Sequence, residues 1–213
     1  MKINPTNKLR RQGFTLIEMI GVLAVIAILA AVLIPKVFEA INNARINNAA
    51  MTCGTVKAAV ADHYAKFGSL VVDGSVTPNA VLTPGTGNAV VYDSVLLGEG
   101  FLDKLFSVKI GQDTGAAPTN HVELMATVAG TVAPTVNNTA YDLANGGTNN
   151  AVGSAVVQAV IPGVTLGDAH DLSVRIDGDA LSVPLTPGGD DIKGRVKYAN
   201  TSPTTVYVYI THR

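Results

Sequence analysis

The sequence predicts an α+β protein in which a long N-terminal helix packs on an antiparallel sheet. The first observation is an apolar run of 21 residues from Phe14 to Ile34, in which Glu18 is the only charged residue. The second is that apolar residues continue at roughly helical spacing as far as Phe67, where Gly68 can cap the helix. The third is a C-terminal half with short alternating segments, which are typical of antiparallel strands.

The apolar run is long enough to cross a membrane. At about 1.5 Å per residue, a helix of this length spans roughly the 30 Å hydrocarbon core of a bilayer. The residues before it include no acid and four bases, at Lys2, Lys8, Arg10 and Arg11. Because clustered Lys and Arg beside a spanning helix stay in the cytoplasm, the sequence predicts a single membrane pass with a cytoplasmic N-terminus.

Glu18 is the residue of this run that needs a physical explanation. A carboxylate inside an apolar membrane helix costs on the order of 3 kcal/mol and is usually paired or functional. A plain signal anchor does not need such a carboxylate, although this alternative stays open. An ordinary secretory signal peptide is disfavoured, because its apolar core has about 7–15 residues and ends in an A-x-A site. No A-x-A occurs between Phe14 and Pro35.

The stretch Gly13-Phe14-Thr-Leu-Ile-Glu18, with the basic leader before it and Pro35 after it, resembles the processing motif of type IV pilins and of type II secretion pseudopilins. The resemblance implies that a prepilin peptidase cuts between Gly13 and Phe14, and that the same peptidase/methyltransferase N-methylates the new terminal Phe14. It also implies that Glu18 acts in assembly. Pro35 stands where the family commonly carries proline.

The resemblance further implies a structural subunit rather than an enzyme. Such a subunit polymerises through its N-terminal helix into a helical filament made of copies of itself, and the filament serves adhesion, motility or DNA uptake. Before assembly the chain would lie in the lipid of the bacterial inner membrane and contact an assembly platform there. Afterwards it would be part of an extracellular pilus on the cell surface. Two alternatives stay open, a pseudopilin of a type II secretion system and a membrane-anchored periplasmic binding domain.

These patterns divide the chain into a cleaved leader (1–13), a long helix (14–67, with 14–34 as the transmembrane and assembly segment) and a β-rich globular head (68–213). A helix of about 54 residues would be about 80 Å long, so we expect half of it to protrude from the head. Pro35 lacks an amide N–H, which predicts a kink or local melting near it. Beyond Pro35 the apolar stripe of the helix consists of Val37, Ile41, Ala44, Met51, Val56, Val60 and Tyr64 or Phe67.

Within the head, the pattern is loop-like from Ser69 to Asp93, with Val71-Val72 and Val90 to Tyr92 as apolar islands. The segment 95–106 resembles a Leu-rich turn of pseudopilins, but the Asp-Pro-Trp-Gly that often follows it there is absent, which disfavours a secretion role. Strands are predicted at 122–128 and 154–161, separated by a stretch rich in Gly, Asn and Thr. Two hairpins are predicted, one from 172–176 and 180–183 around Asp177-Gly178-Asp179, the other from 195–198 and 205–211.

Composition disfavours several other functions. Four of the 15 basic residues precede Phe14, so the mature chain carries 11 bases against 16 acids and no basic face typical of nucleic-acid binding. The four histidines lack metal-ligand spacing, and the C-terminal aspartates lack the spacing of an EF-hand and fit turns instead, so neither a metal nor another cofactor is predicted.

The lone Cys53 is expected to be a small packed residue. It cannot form the intramolecular disulfide with which many pilins close their C-terminal loop, so strand pairing or another device must close it.

Overall fold

The computed structural model describes residues 13–70, 90–111, 120–128, 130–153, 155–183 and 189–213. The basic leader residues and the apolar island Val71-Val72 lie outside these ranges. The α+β fold class is confirmed, because a long N-terminal helix is combined with an antiparallel sheet. The chain forms two compact units, Met1–Asn42 and Asn43–Arg213.

Helix α1 extends over Leu16–Phe67 and contains Pro35 without interruption of the helical backbone, so local melting at the proline is not observed. Gly68 ends the helix as predicted. Its φ of +69° is in the left-handed region that favours glycine, and its N–H donates to the Tyr64 carbonyl at 2.8 Å. The helix therefore stops where a residue without a Cβ permits the chain to turn.

The buried face of α1 includes only part of the apolar stripe that the sequence indicates. Val56 and Val60 are buried, whereas Met51 is 72% exposed and Val37 and Ile41 are also exposed. Small residues, Ala49, Cys53 and Ala59, make much of the buried face of α1. The residues that α1 buries are Ile46, Ala49, Cys53, Val56, Ala59, Val60 and His63.

The second unit is built on a five-stranded antiparallel sheet of order β1-β2-β3-β5-β4. The strands are β1 Val90–Val91, β2 His121–Met125, β3 Val156–Val164, β4 Val196–Tyr198 and β5 Thr204–His212. The predicted pairing of the last two strands as a hairpin is confirmed. The strand predicted at 122–128 is shorter than expected, because its partner β3 begins at Val156, which pairs with Met125.

The two faces of the sheet carry different side chains, as the two-residue period of strands requires. Alternate residues of β5 point into the main core, where they join the buried residues of α1. The side chain of Tyr209, on the opposite face, packs in a second cluster with Tyr141, Val156 and Ala151. This second cluster places part of the irregular 130–153 segment over the other face of the sheet, which explains why most of β3 is buried.

The predicted hairpin at 172–176 and 180–183 is wrong. Residues Leu166–Asp177 form helix α3, and a turn follows it. The Thr165 side chain caps this helix by accepting from the Asp168 N–H, and Gly178 ends it with a φ of +79°. The residues Ala169, Leu172, Ser173 and Ile176 have helical spacing in the sequence. The helix was not predicted because apolar and polar residues also alternate over 172–176, as they do in a strand. A shorter helix, α2, covers Tyr92–Gly98.

Candidate processing and assembly site

The expected cleavage site lies just before the first turn of α1. Gly13, Phe14 and Thr15 are not helical, and Leu16 begins the helix. Phe14 is 82% exposed. A Cβ placed on Gly13 would meet no atom within 4 Å, so nothing in the described part of the chain requires glycine at this position. Any requirement for Gly13 must then come from a molecule that acts on this segment.

Thr15 and Glu18 form a capping box, in which each residue satisfies a backbone N–H of the other. The Thr15 N–H and hydroxyl donate to the Glu18 carboxylate at 2.8 and 2.7 Å, and the Glu18 N–H donates to the Thr15 hydroxyl at 3.3 Å. The carboxylate predicted to act in assembly therefore also begins the helix. In the sequence this role is visible as Thr-x-x-Glu directly before an apolar run.

An exposed apolar surface follows the capping box along the helix. Large apolar side chains from Leu16 to Ile41 are between 43 and 78% exposed. Among the described residues, α1 is long and apolar enough to span a membrane, since an 18-residue window reaches a mean hydropathy of 2.9 with none of it buried. The core helix of a soluble protein would be mostly buried, so this surface requires lipid or another protein to cover it.

Pro35 lies within this exposed surface. The next residue, Lys36, pairs with Glu39 at 3.0 Å, and both side chains are largely exposed. Glu18 and Pro35 are thus 17 positions apart on one helix and do not contact each other. The proposed assembly residues form a linear segment and do not converge into a pocket.

A buried polar cluster in the second unit was not predicted. His63 is fully buried, and its Nδ1 lies 2.6 Å from a carboxylate oxygen of Glu99. The rings of Phe67, Tyr92 and Phe101 surround the imidazole at centroid distances of 4.9 to 5.6 Å. The cluster joins the end of α1 to the turn after α2. Its two partners, His63 and Glu99, are 36 positions apart in the sequence, which explains why the sequence did not indicate it.

The other residues with reactive or metal-binding side chains do not form a site. Cys53 is buried as predicted, and burial raises the pKa of its thiol to about 12, so the reactive thiolate form is suppressed. No group of three or more His, Cys, Asp or Glu side chains with metal-binding geometry occurs in the described ranges.

Two charged residues with buried side chains, Asp177 and Lys197, join segments of the second unit that are distant in the sequence. Asp177 accepts from the backbone N–H groups of Arg195 and Val196 at 2.7 and 2.9 Å, and from the Arg195 Nε at 3.0 Å. Lys197 donates to three carbonyl oxygens of the 130–153 segment. Asp177 had been assigned to a turn by the sequence, and Lys197 to a strand with no special role.

Comparison with known proteins identifies the N-terminal segment. Residues 8–34 match the family model of the prokaryotic N-terminal methylation motif, which is the signature of type IV pilin and pseudopilin prepilins. In the comparisons with curated proteins and with solved structures, nothing matched. The match covers residues 8–13 of the expected leader and the apolar segment, and it confirms the resemblance that the sequence indicated.

Proposed function

We propose that this chain is a type IV pilin-like structural subunit that polymerises through the N-terminal part of α1 into a cell-surface filament. Cleavage between Gly13 and Phe14 by a prepilin peptidase removes the leader, and Phe14 is then N-methylated. The subunit waits in the inner membrane, with residues 14–34 in the lipid, and an assembly platform transfers it into the filament. Its main partners are other copies of the same chain.

The observation that carries this proposal is the exposed apolar segment with one carboxylate near its start. The hydrocarbon of lipid can cover the apolar side chains from Leu16 to Ile41, but it offers no cation for the Glu18 carboxylate, which accepts hydrogen bonds from Thr15. Side-by-side packing of many copies covers the same apolar surface and also supplies a cation for the carboxylate, namely the Phe14 amine of a neighbouring subunit. A monomeric anchored binding domain would leave Glu18 without such a partner.

Electron microscopy of cells with and without the gene tests the proposal. We expect surface filaments that contain the chain to disappear on deletion and to return on complementation. Loss of protein export without loss of surface filaments would instead assign the chain to a secretion machine as a pseudopilin. A deletion strain with normal filaments and normal export would leave the anchored binding domain as the better interpretation.

Processing gives the first prediction. Intact-mass measurement of the mature protein should give the mass of residues 14–213 plus one methyl group, because the motif match includes the Gly13-Phe14 bond. The Gly13→Val variant should keep its leader and remain in the membrane. Since a Cβ on Gly13 meets no atom of the described residues within 4 Å, we do not expect a failure of this variant to come from a disturbed fold of that part of the chain. An N-terminus at any residue other than Phe14 would contradict the prediction.

Solubility of the head gives the second prediction. Deleting residues 1–36 removes most of the exposed apolar surface and leaves the compact unit Asn43–Arg213 intact. The fragment should therefore be soluble without detergent, and its circular dichroism should indicate mixed helix and antiparallel strand. Filaments formed by this fragment alone would mean that packing of the N-terminal segment is not the main force of assembly.

A further inference from the structure

A cationic groove lies within the second unit, between the C-terminal half of α1, helix α3 and strand β5. Its volume is about 230 Å³. Apolar residues that include Ala50, Cys53 and Ile210 line part of it, and Lys57, Arg175 and Arg195 are its charged lining residues. The three cations come from α1, from α3 and from the turn before β4, so only the folded chain brings them together.

Among the residues that the structure describes, two of the three cations of the groove have no carboxylate partner. In the part of the chain that the structure describes, the side chains of Lys57 and Arg175 have no ion-pair or hydrogen-bond partner, and both residues are exposed. Arg195 is paired with one carboxylate, that of Asp177. Within the described residues, Lys57 and Arg175 therefore have no carboxylate within 4.0 Å, although the mature chain has more acids than bases.

Arg195, the residue directly before β4, is held in a fixed orientation. Its Nε donates to Asp177 at 3.0 Å, and one Nη donates to the Ile176 carbonyl. The Asp177 side chain is only 1% exposed and is itself fixed by two backbone N–H groups. The remaining N–H groups of the Arg195 guanidinium stay available, and little side-chain entropy is left to lose when a ligand binds them.

We propose that this groove is a binding site for a phosphate group, either as inorganic phosphate or as a phosphomonoester. A phosphate carries about −1.5 to −2 charges at neutral pH, which matches the two unbalanced cations better than a single carboxylate does. Two guanidinium groups supply the paired N–H donors that phosphate oxygens accept, and Lys57 adds a point charge. The apolar part of the lining offers contact to the carbon portion of an ester.

Isothermal titration calorimetry tests the site in the full-length mature chain, in a non-ionic detergent at constant ionic strength. The ligands are inorganic phosphate and glycerol 3-phosphate, with acetate as the singly charged comparison. We expect saturable binding of both phosphates and at least about tenfold weaker binding of acetate, in line with the loss of charge-assisted hydrogen bonds. Tighter binding of glycerol 3-phosphate than of inorganic phosphate would assign the groove to an organic ester, and the reverse order to the free ion.

Charge-reversal variants provide the control. Lys57→Glu and Arg175→Glu should each raise the dissociation constant for phosphate at least about tenfold, and should not change the unfolding temperature in chloride because both side chains are exposed. Lys104→Glu makes the same change of net charge at an exposed position that does not line the groove, and should alter the constant by no more than about twofold. Equal weakening by all three variants, or no saturable binding of either phosphate, overturns the proposal. The assay requires no filament, so its result is independent of whether the chain polymerises.

Discussion

Replacing Glu18 with alanine should lower the yield of surface filaments by about 100-fold or more, while the chain is still inserted, cleaved and stable in the membrane. In the assembled state we expect the Glu18 carboxylate to pair with the amine of Phe14 on a neighbouring subunit. Two opposite charges attract strongly where the dielectric is low, and removal of one leaves the other buried and unpaired at a cost of about 3–5 kcal/mol. Quantifying filaments and the membrane pool in the same cells checks both parts of this expectation.

The capping box provides controls that separate charge from helix initiation. Glu18→Gln removes the charge but keeps an oxygen that can accept from Thr15, whereas Thr15→Val removes the cap and keeps the carboxylate. We expect Glu18→Gln to assemble nearly as poorly as Glu18→Ala. The filament yield of Thr15→Val should fall by no more than about tenfold, since a helix cap contributes about 1 kcal/mol to stability.

Two results would contradict this account of Glu18. Normal filament yield in Glu18→Ala would mean that the carboxylate has no assembly role. Near-normal yield in Glu18→Gln together with failure of Thr15→Val would mean that the carboxylate acts by starting the helix and not through its charge.

The N-terminal segment could be predicted from the sequence because its requirements are local. The length of the apolar run follows from the thickness of the bilayer, and Gly13, Phe14 and Glu18 lie within six consecutive positions. The end of α1 was predicted for the same reason, because Gly68 alone provides the left-handed residue that the C-cap requires. None of these inferences depends on contacts between distant parts of the chain.

The interior of the head could be predicted only in part, because its polar contacts join distant residues. The three carbonyl groups that accept from Lys197 are 57 to 62 residues away in the sequence. The cationic groove likewise combines Lys57 of α1 with Arg175 of α3. Alternation and turn residues specify strands, but they carry no information about which segment covers the second face of a sheet.

Lys197 holds the irregular 130–153 segment against the sheet. Its Nζ donates to the carbonyl oxygens of Thr135, Asn138 and Ala140 at 2.9, 2.6 and 2.9 Å. It also lies 4.0 Å from the centroid of the Tyr141 ring, and the residue is fully buried. All three N–H groups of the ammonium therefore have an acceptor, and the aromatic face adds a cation–π contact.

Lys197→Met should lower the free energy of unfolding by about 3 kcal/mol, because three buried carbonyl groups lose their donor. In a chain of this size that corresponds to a fall of roughly 6–12 °C in the unfolding temperature. Lys193→Met is the matched control. It removes a side chain of the same length and charge that is only half-buried, and it should change stability by less than about 0.5 kcal/mol.

The pH dependence of stability should also differ between the wild type and Lys197→Met. Burial lowers the pKa of Lys197 from 10.5 to about 7, so between these values the unfolded chain binds more protons than the folded one. By linkage, folding then becomes more favourable as pH rises through this range, and Lys197 has no such effect below about pH 7. Urea unfolding of the detergent-solubilised mature chain at pH 7 and pH 9 measures the free energy of unfolding. Between these two pH values we expect it to rise in the wild type by on the order of 2 kcal/mol more than in Lys197→Met. Groups common to both chains cancel in this difference. An equal change of the free energy of unfolding with pH in the two chains would mean that the Lys197 ammonium stays protonated through pH 9. The three carbonyl oxygens and the Tyr141 ring would then offset the effect of burial.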